Sequence, residues 1–175
     1  MGQQPLAMDT ASRSQQFHEL LKRHRKIVFK VAHSYSRHPD DRADLAQEIA
    51  AQLWRAFPAY DGRRPFSTWM YRIALNVAIS FLRNHRHREQ HSVPLDEEHH
   101  DTIGATGVQP ESDERVRLLH RFIAQLDGLN RALLLLYLDE KTYREIAEIL
   151  GITETNVATK IGRLKQRIRN DMADT

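Results

Sequence analysis

The chain has 175 residues, enough for one domain or two small ones, and its formal net charge of +3 neither requires nor excludes a nucleic-acid partner. It contains no cysteine, which excludes disulfide bonds and thiolate metal sites and favours a reducing cytoplasm. No apolar run approaches the roughly 20 residues that span a bilayer, and the N-terminus has no signal-peptide core, so we expect a cytoplasmic protein without membrane insertion.

The first informative stretch runs from Asp41 to Phe57 and predicts an amphipathic helix. Its apolar stripe consists of Leu45, Ile49, Leu53 and Phe57. A different face carries carboxylate and amide side chains, namely Asp41, Asp44, Gln47, Glu48 and Gln52. Such a face is usually only solvated, but Trp54 and the Ala50–Ala51 pair offer a place where another helix could dock.

A turn and a long helix follow. In the segment Asp61-Gly62-Arg63-Arg64-Pro65, the glycine and the proline break the helix. Ser67 is then expected to cap a helix that continues to Glu89. The predicted core residues of this helix are Ile73, Val77 and Phe81, with Leu75 and Leu82 beside them.

The other side chains of the long helix form an unusual mixture. It comprises Trp69, Tyr71, Arg72, Asn76, Arg83, Arg86 and Arg88. Aromatic rings can stack on bases, an amide can read a base edge, and arginines can bind phosphates, so the set suits single-strand recognition. An equally open interpretation is that the two aromatic residues belong to the core and that the arginines only favour the helix C-terminus.

Residues 91–112 differ from both flanks. They contain five Asp or Glu and no Lys or Arg, whereas the sequence before them carries a net charge of +7 and the sequence after them +1. Prolines and glycines interrupt the stretch, and it has no sustained apolar period. We predict a flexible acidic linker between a helical domain at 15–90 and another at 113–172. Because no strand alternation appears, the predicted fold class is all-α.

The stretch from Lys141 to Arg169 predicts two helices joined by a tight turn. Thr142 and Glu145 have the spacing of a capping box, and Gly151 lies where the chain must turn sharply. The expected buried face of the first helix is Ile146, Ala147 and Leu150. Thr153 can cap the second helix, whose predicted buried stripe is Val157, Ile161, Leu164 and Ile168.

The opposite face of that second helix is polar and basic. At about 100° per residue it presents Thr155, Thr159, Gly162, Arg163 and Gln166, with Lys160 and Arg167 on one flank and Lys165 and Arg169 on the other. A helix of this kind, presented by a preceding helix, has the geometry that enters the major groove of DNA. The alternative is an ordinary helical hairpin with a solvated basic face.

The two blocks together resemble the bacterial RNA polymerase sigma factors, specifically the small two-domain extracytoplasmic-function (ECF) group. The group's core-polymerase-binding helix is similar to DRADLAQEIAAQLWRAFPAYDG, and its promoter-melting block is similar to PFSTWMYRIALNVAISFLR. Its C-terminal domain is similar to the stretch from Leu126 to Ile168. The resemblance covers about residues 17–88 and 113–170, and it implies a sigma-2-like and a sigma-4-like helical domain joined by a flexible linker.

The resemblance also implies which residues bind which partner. Core RNA polymerase would be bound by Asp41, Asp44, Gln47 and Glu48. The minus-10 element of promoter DNA would be opened and held by Trp69, Arg72, Asn76 and Arg83. The minus-35 element would be read as duplex by Thr155, Thr159, Lys160, Arg163, Gln166 and Arg167. An anti-sigma factor of unknown identity is a further implied partner.

Some positions depart from the pattern of the family. Ala158 and Gly162 lie where its members often carry a large or basic side chain, so the minus-35 sequence cannot be carried over. The segment Leu126-Asp127-Gly128-Leu129-Asn130 replaces a common Leu-Pro turn, which affects a helix start. The histidines at 85, 87, 91, 99 and 100 straddle a helix end and the linker without a fixed ligand geometry. No metal and no other cofactor is therefore predicted.

Two other classes of function agree less well with the sequence. A dimeric helix-turn-helix regulator that binds duplex DNA alone needs neither the acidic face around Asp44 nor the block from Trp69 to Asn76. An enzyme would need a phosphate-binding loop, a nucleophile beside a base or a metal motif, and none of these appears. We therefore predict a non-catalytic protein that acts with polymerase and promoter.

Overall fold

The computed structural model describes residues 10–91 and 110–173, which form helices and short connections without a strand. The predicted all-α class is therefore confirmed. The helices are α1 (Thr10–Tyr35), α2 (Pro39–Ala56), α3 (Phe66–His91), α4 (Pro110–Gln125), α5 (Gly128–Leu138), α6 (Tyr143–Leu150) and α7 (Glu154–Ala173), and a short 3-10 turn, Phe57–Ala59, follows α2. Among these described helices, none is both long and apolar enough to cross a membrane.

The chain divides into two compact units, Met1–Ala78 and Ile79–Thr175, and the division falls inside α3. Each unit has its own buried apolar side chains. The predicted linker lies mostly outside the described residues, since α3 ends at His91 and α4 begins at Pro110. Its flexibility, and the predicted domain bounds, stay predictions.

The first unit is held together by the packing of α1 against α2. The predicted stripe of α2 lies at its centre, because Leu45, Ile49 and Leu53 are completely buried. Burying an aliphatic side chain of this size contributes about 1.5–3 kcal/mol, so these three residues fix the rotation of α2 about its axis. The ring of Phe17 in α1 closes the end of this core, 5.2 Å from the ring of Phe57.

The start of α3 differs from the prediction. The helix begins at Phe66, and Ser67 lies inside its first turn and is not its cap. The Trp69 N–H donates to the Pro65 carbonyl at 3.2 Å, which puts Pro65 at the cap position, where the missing proline N–H costs nothing. Phe66 is buried with its ring 5.5 Å from that of His24, and this packing draws it into the helix.

The predicted core of α3 was also wrong in part. The fully buried side chains are Met70, Tyr71, Ala74, Leu75 and Ala78. The predicted Ile73, Val77, Phe81 and Leu82 are only half-buried. The buried stripe is thus rotated by about one residue, or 100°, and it includes Ala74 and Ala78, whose small side chains carry little signal in an apolar pattern.

The second unit is built from α5, α6 and α7, with α4 packed on α7. The centre of this unit is α5, in which every residue from Arg131 to Leu136 is buried. Of the predicted stripe on α7, Val157, Ile161 and Leu164 are buried as expected. Ile168 is half-buried and lines a groove of about 340 Å³ between α4 and α7.

The predicted pair of helices with a tight turn is confirmed as α6 and α7. Thr142 and Glu145 form the complete capping box, and Gly151 has the left-handed conformation, with φ of 68°, that ends α6. The Asn156 N–H donates to the Thr153 hydroxyl at 3.1 Å, which confirms the cap of α7.

The buried face of α6 differs from the prediction at one position. Ile146 and Ala147 are buried as expected, but Ile149 is buried where Leu150 was predicted, and Leu150 is half-buried. The reason is that this short helix contacts both α5 and α7, so two of its sides are covered.

A buried arginine joins the end of α4 to α5, and the sequence did not predict it. The Arg131 guanidinium donates to the Ala124 carbonyl at 2.9 Å and to the Leu126 carbonyl at 3.3 Å. Arg86 of α3 also donates to the Leu126 carbonyl, at 3.1 Å. The terminal carbonyls of a helix have no partner within the helix, and here the two arginines supply the donors.

Replacing Arg131 with Met should lower the free energy of unfolding of the second unit by about 1–3 kcal/mol, because the Ala124 carbonyl loses its donor. Hydrogen exchange of the α4 and α5 amides would measure the loss. Both tryptophans, Trp54 and Trp69, lie in the first unit, so their fluorescence should change little. The matched control is Arg144→Met, at an exposed position of α6, which should cost less than about 0.5 kcal/mol. Equal losses from both variants would contradict this role of Arg131.

The capping box predicts a pH dependence for α6. Hydrogen bonds from the Thr142 N–H and hydroxyl lower the pKa of Glu145 below its ordinary value, and Lys141 adds to the effect. A carboxylate whose folded pKa is lowered stabilises the fold above its unfolded pKa, and this contribution is lost as the pH falls through the folded pKa.

Glu145→Ala should therefore weaken α6 at pH 7 by a few tenths to about 1 kcal/mol, since the pair is near solvent. The difference from the unmodified chain should shrink as the pH falls below about 4.5 and the carboxylate is protonated. Hydrogen exchange of the α6 amides at several pH values checks this. Glu145→Gln keeps an acceptor without the titration and serves as the control; a difference for Glu145→Ala that stays constant down to acid pH would contradict the assignment.

Candidate nucleic-acid and polymerase interfaces

The exposed face of α7 contains the polar and basic residues that were predicted from the sequence to lie there. Thr155, Thr159, Arg163 and Gln166 are all exposed. They lie within about 80° of one another around the helix, opposite the buried stripe. Asn170 extends the same face and accepts a hydrogen bond from Gln166 at 3.0 Å. Asn170 was not predicted because it lies two residues after the stretch from Leu126 to Ile168, although its spacing of four residues from Gln166 puts it on the same face of the helix.

Gly162 lies at the edge of this face and leaves it open. A Cβ atom added there would meet no atom within 4 Å. A larger side chain at this position would therefore fit the unbound protein, and the glycine is not required by packing. What the glycine does provide is close access to the backbone of α7 for a ligand.

Two cationic side chains on the flank of α7 interact with other residues of the protein. The Arg167 guanidinium lies 5.4 Å from the centre of the Phe122 ring, in cation–π geometry. Lys160 is half-buried and acts electrostatically on Asp127, the cap of α5. Arg163 has neither arrangement and is exposed, which makes it the best placed of the three to reach a base edge.

Asp127 shows how this flank is organised. Partial burial alone would raise the pKa of its carboxyl, but hydrogen bonds from Asn130 and from the Leu129 N–H outweigh burial and lower it, with Lys160 contributing. The carboxylate is therefore ionised at neutral pH. It caps the start of α5 and attracts the positive charge of Lys160.

On the other flank, Lys165 packs against α5. Its ammonium group lies 4.4 Å from the centre of the Tyr137 ring. A hydrogen bond with Tyr137 raises the pKa of Lys165 above its ordinary value. This flank keeps its positive charge, and the contact helps to fix α7 on α5.

The exposed face of α3 contains the second predicted set. Arg72, Asn76 and Arg83 are exposed and Trp69 is half-buried. Their spacings of three, four and seven residues put them within about 60° of one another around the helix. Tyr71, by contrast, is buried in the core with 1% exposure, so it cannot stack on a base.

Trp69 is held in place by a cluster of rings at the start of α3. Its ring lies 5.1 Å from that of Tyr60, 5.2 Å from that of Phe66 and 6.3 Å from that of Phe57. Edge-on and tilted pairs at these distances contribute about 0.5–1.5 kcal/mol each beyond burial. These contacts hold the indole, and Trp69 as a whole is half-buried.

Tyr60 is a candidate residue that the sequence did not single out. It is half-buried beside Trp69, and its hydroxyl donates to the Arg64 carbonyl at 2.8 Å. This bond spans the turn between α2 and α3, in which Gly62 has φ of 71° and the Arg63 N–H donates to Asp61 at 3.0 Å. The feature of the sequence that could have indicated Tyr60 is its position directly before an Asp-Gly turn.

The acidic face of α2 is present as predicted. Asp44, Gln47 and Glu48 are exposed, and Asp41 is half-buried. Glu48 accepts a hydrogen bond from Gln52 at 3.2 Å and lies 3.8 Å from Arg55. Both contacts lie on the surface of one helix, where an ion pair contributes less than about 1 kcal/mol, so a partner can replace them at little cost.

Trp54 lies beside this face and is 38% exposed. Its ring packs 5.2 Å from that of Phe17 in α1. The residue therefore presents an apolar edge next to the carboxylates, the combination found at the centre of protein interfaces.

Known protein families match both halves of the chain. Residues 20–88 match the family described as Sigma-70 region 2, and residues 117–168 match the family described as Sigma-70, region 4. The order of the two matches is that of the two predicted domains.

Two curated relatives are similar over most of the chain. The ECF RNA polymerase sigma factor SigW of Bacillus subtilis is 29% identical over 171 residues, covering 90% of this chain and 89% of its own. The ECF RNA polymerase sigma-E factor of Escherichia coli K12 is 32% identical over 152 residues, covering 81% of this chain and 80% of its own.

Two solved structures share the fold. One is CnrH in complex with the cytosolic domain of CnrY, with a TM-score of 0.66 and 21% identity over 93% of this chain and 91% of that one. The other is the sigma factor RpoE in complex with the anti-sigma factor NepR from Bartonella quintana, with a TM-score of 0.61 and 18% identity over 91% of this chain and 96% of that one.

Proposed function

The chain belongs to the ECF group of RNA polymerase sigma factors, and from that membership we propose how its helices divide the work. As a sigma factor it is a DNA-binding regulator that directs promoter-specific transcription initiation. The observation that carries the proposal is the presence of three exposed polar faces of different character, on α2, α3 and α7, each opposite a buried apolar stripe.

The face of α2 binds core RNA polymerase in this proposal. Asp44 and Glu48 supply charge, Gln47 supplies an amide, and Asp41 contributes from the edge of the face. The adjacent Trp54 adds apolar area to this charged face. Salt screens the interactions of the carboxylates but not an apolar contact made by the tryptophan. The partner surface must be basic to match it.

The face of α3 opens the minus-10 element. Trp69, fixed by its ring cluster, supports the edge of the melted region, and Asn76 holds an extruded base about two turns further along the same face. Arg72 and Arg83 bind the phosphates on either side of Asn76. Extrusion of a base costs a few kcal/mol, which stacking and phosphate contacts together can offset.

The face of α7 reads the minus-35 element as duplex. Arg163 contacts a base edge, with Lys160 on its flank. Thr155, Thr159, Gln166 and Arg167 contact neighbouring bases and phosphates. Each DNA module is small, so we infer that tethering both to polymerase supplies the effective concentration that neither has alone.

We also propose that an anti-sigma factor regulates this chain. Each of the two similar solved structures is a complex, one with the cytosolic domain of CnrY and one with the anti-sigma factor NepR. An inhibitor that covers the exposed faces of α2 or α7 would block polymerase or promoter binding without unfolding the protein.

Removing the two charges at the centre of the α2 face, as Asp44→Asn together with Glu48→Gln, should weaken binding to core polymerase by about ten-fold or more. The reason is that exposed carboxylates meeting a basic surface steer and hold the complex. Titration of labelled chain with core enzyme at two salt concentrations measures it.

The control for this variant is Glu19→Gln, an exposed acidic residue of the same unit on a different helix. It should leave the affinity unchanged, and the double variant should keep the helical circular dichroism of the unmodified chain. Undiminished affinity of the double variant would show that polymerase binds another face.

Arg163→Ala should relax the sequence preference at one position of the minus-35 element, because a bidentate base contact is worth about 1–3 kcal/mol of discrimination. Selection from a duplex library with holoenzyme measures the preference. Arg169→Ala, which removes the same charge from the other side of α7, should weaken binding to all sequences equally. If the preference at every position survives Arg163→Ala, another side chain reads the groove.

A further inference from the structure

The outer face of α1 is a strongly basic surface that the functions above do not use. The helix contains six Lys or Arg and one Glu, Glu19, which is exposed one turn before Lys22 on the same side of the helix. At 100° per residue, Lys22, Lys26 and Phe29 lie within about 60° of one another, opposite the buried side of the helix. All three are exposed. Arg25 and Lys30 flank them, one on each side, and are exposed as well.

An aromatic ring in the middle of these cations is unexpected on a merely solvated face. Phe29 is 59% exposed, the highest value among the large apolar side chains of the described residues. A ring with this exposure adds less hydrophobic stabilisation to the fold than full burial would, whereas the neighbours Val28 and Val31 are buried. Exposed aromatic rings between cations are the combination that binds single-stranded nucleic acid, since a ring stacks on any base.

The charge of this face excludes the partner proposed for α2. The acidic face of α2 needs a basic partner, and α1 beside it, with its excess of positive charge, would repel the same surface. Lysine and arginine side chains supply positive charge on α1 at neutral pH. Burial and the nearby Arg42 lower the pKa of His33, which shares this side of the helix, so its imidazole is uncharged there.

The dimensions of the face match a short stretch of one strand. Lys22, Lys26 and Lys30 follow one another at steps of about 6 Å along the axis, a total of about 12 Å. At 3.4 Å per nucleotide along a strand, this length corresponds to roughly three or four phosphates.

The face also lies within reach of DNA held at Trp69. Two ring contacts connect α1 to Trp69, from His24 to Phe66 at 5.5 Å and from Phe66 to Trp69 at 5.2 Å. His24 points inward, so a strand that leaves Trp69 must also cross the width of α1, about 10–12 Å, before it reaches the basic side. The strand that reaches it is therefore promoter DNA several nucleotides away from Trp69.

We propose that Lys22, Lys26 and Phe29 form a sequence-independent site for the single-stranded DNA of the opened promoter. The lysines bind successive phosphates and the ring stacks on a base. The inference rests on the proposed function, because it takes the strand that the α3 face releases. The site strengthens the open complex and leaves the choice of promoter to α3 and α7.

The test compares holoenzyme carrying Lys22→Gln with Lys26→Gln against unmodified holoenzyme, on a promoter with a preformed bubble and on the same promoter as full duplex. With the bubble, the plot of the logarithm of the binding constant against the logarithm of the salt concentration should become less steep. The magnitude of its negative slope should decrease by about 1.4, since each contact to single-stranded phosphate contributes about 0.7. Phe29→Ala should lower affinity for the bubble by about 5- to 150-fold at unchanged slope, the loss expected for one stacked base.

The matched control is Arg117→Gln with Arg121→Gln, which removes two exposed charges at the same spacing from α4. It should leave the slope for the bubble unchanged, and affinity for core polymerase should be unaltered in every variant. A normal slope and affinity in the α1 variants would overturn the inference alone, and would also be the outcome if this face bound an acidic protein. Failure of the unmodified chain to form any core-dependent promoter complex would contradict the proposed function and the inference together.

Discussion

The burial of one apolar stripe on each helix is the constraint on which the rest of this structure depends. A helix has a single periodicity, so the side chains that are buried determine which ones face the solvent. On α7, the burial of Val157, Ile161 and Leu164 turns Arg163 outward. A shift of one residue in that packing would rotate the helix by about 100° and turn a different set of side chains outward. The buried cores therefore determine which side chains of each helix are available to a partner.

The separation of charge follows from the same constraint. Adjacent helices of the first unit present opposite signs, positive on α1 and negative on α2, while their apolar sides pack together. Faces of opposite sign select different partners, and like charges placed against the wrong partner cost several kcal/mol. The acidic face that we propose for a protein partner and the basic faces that we propose for nucleic acid can thus coexist on a small helical unit without competing for the same ligand.

The sequence predicted best those features that depend on neighbouring residues. The capping box of Thr142 and Glu145 and the turn at Gly151 are local, and each has the predicted geometry. The core of α3 was predicted less well because it depends on distant helices. Ala74 and Ala78 are fully buried, and such small side chains carry little signal in a periodicity. Buried Arg131 and exposed Phe29 were missed for the same reason, since neither burial nor exposure of one side chain can be read from its neighbours in the chain.

The most direct measurement is core-dependent transcription. Purified chain and bacterial core polymerase would be incubated with a library of random upstream sequences, and the start sites and their upstream DNA would be sequenced. We predict specific initiation only when both proteins are present, with two enriched motifs upstream of the start sites, one near minus-10 and one near minus-35. Tight, sequence-specific duplex binding by the chain alone, without any core-dependent initiation, would contradict this account.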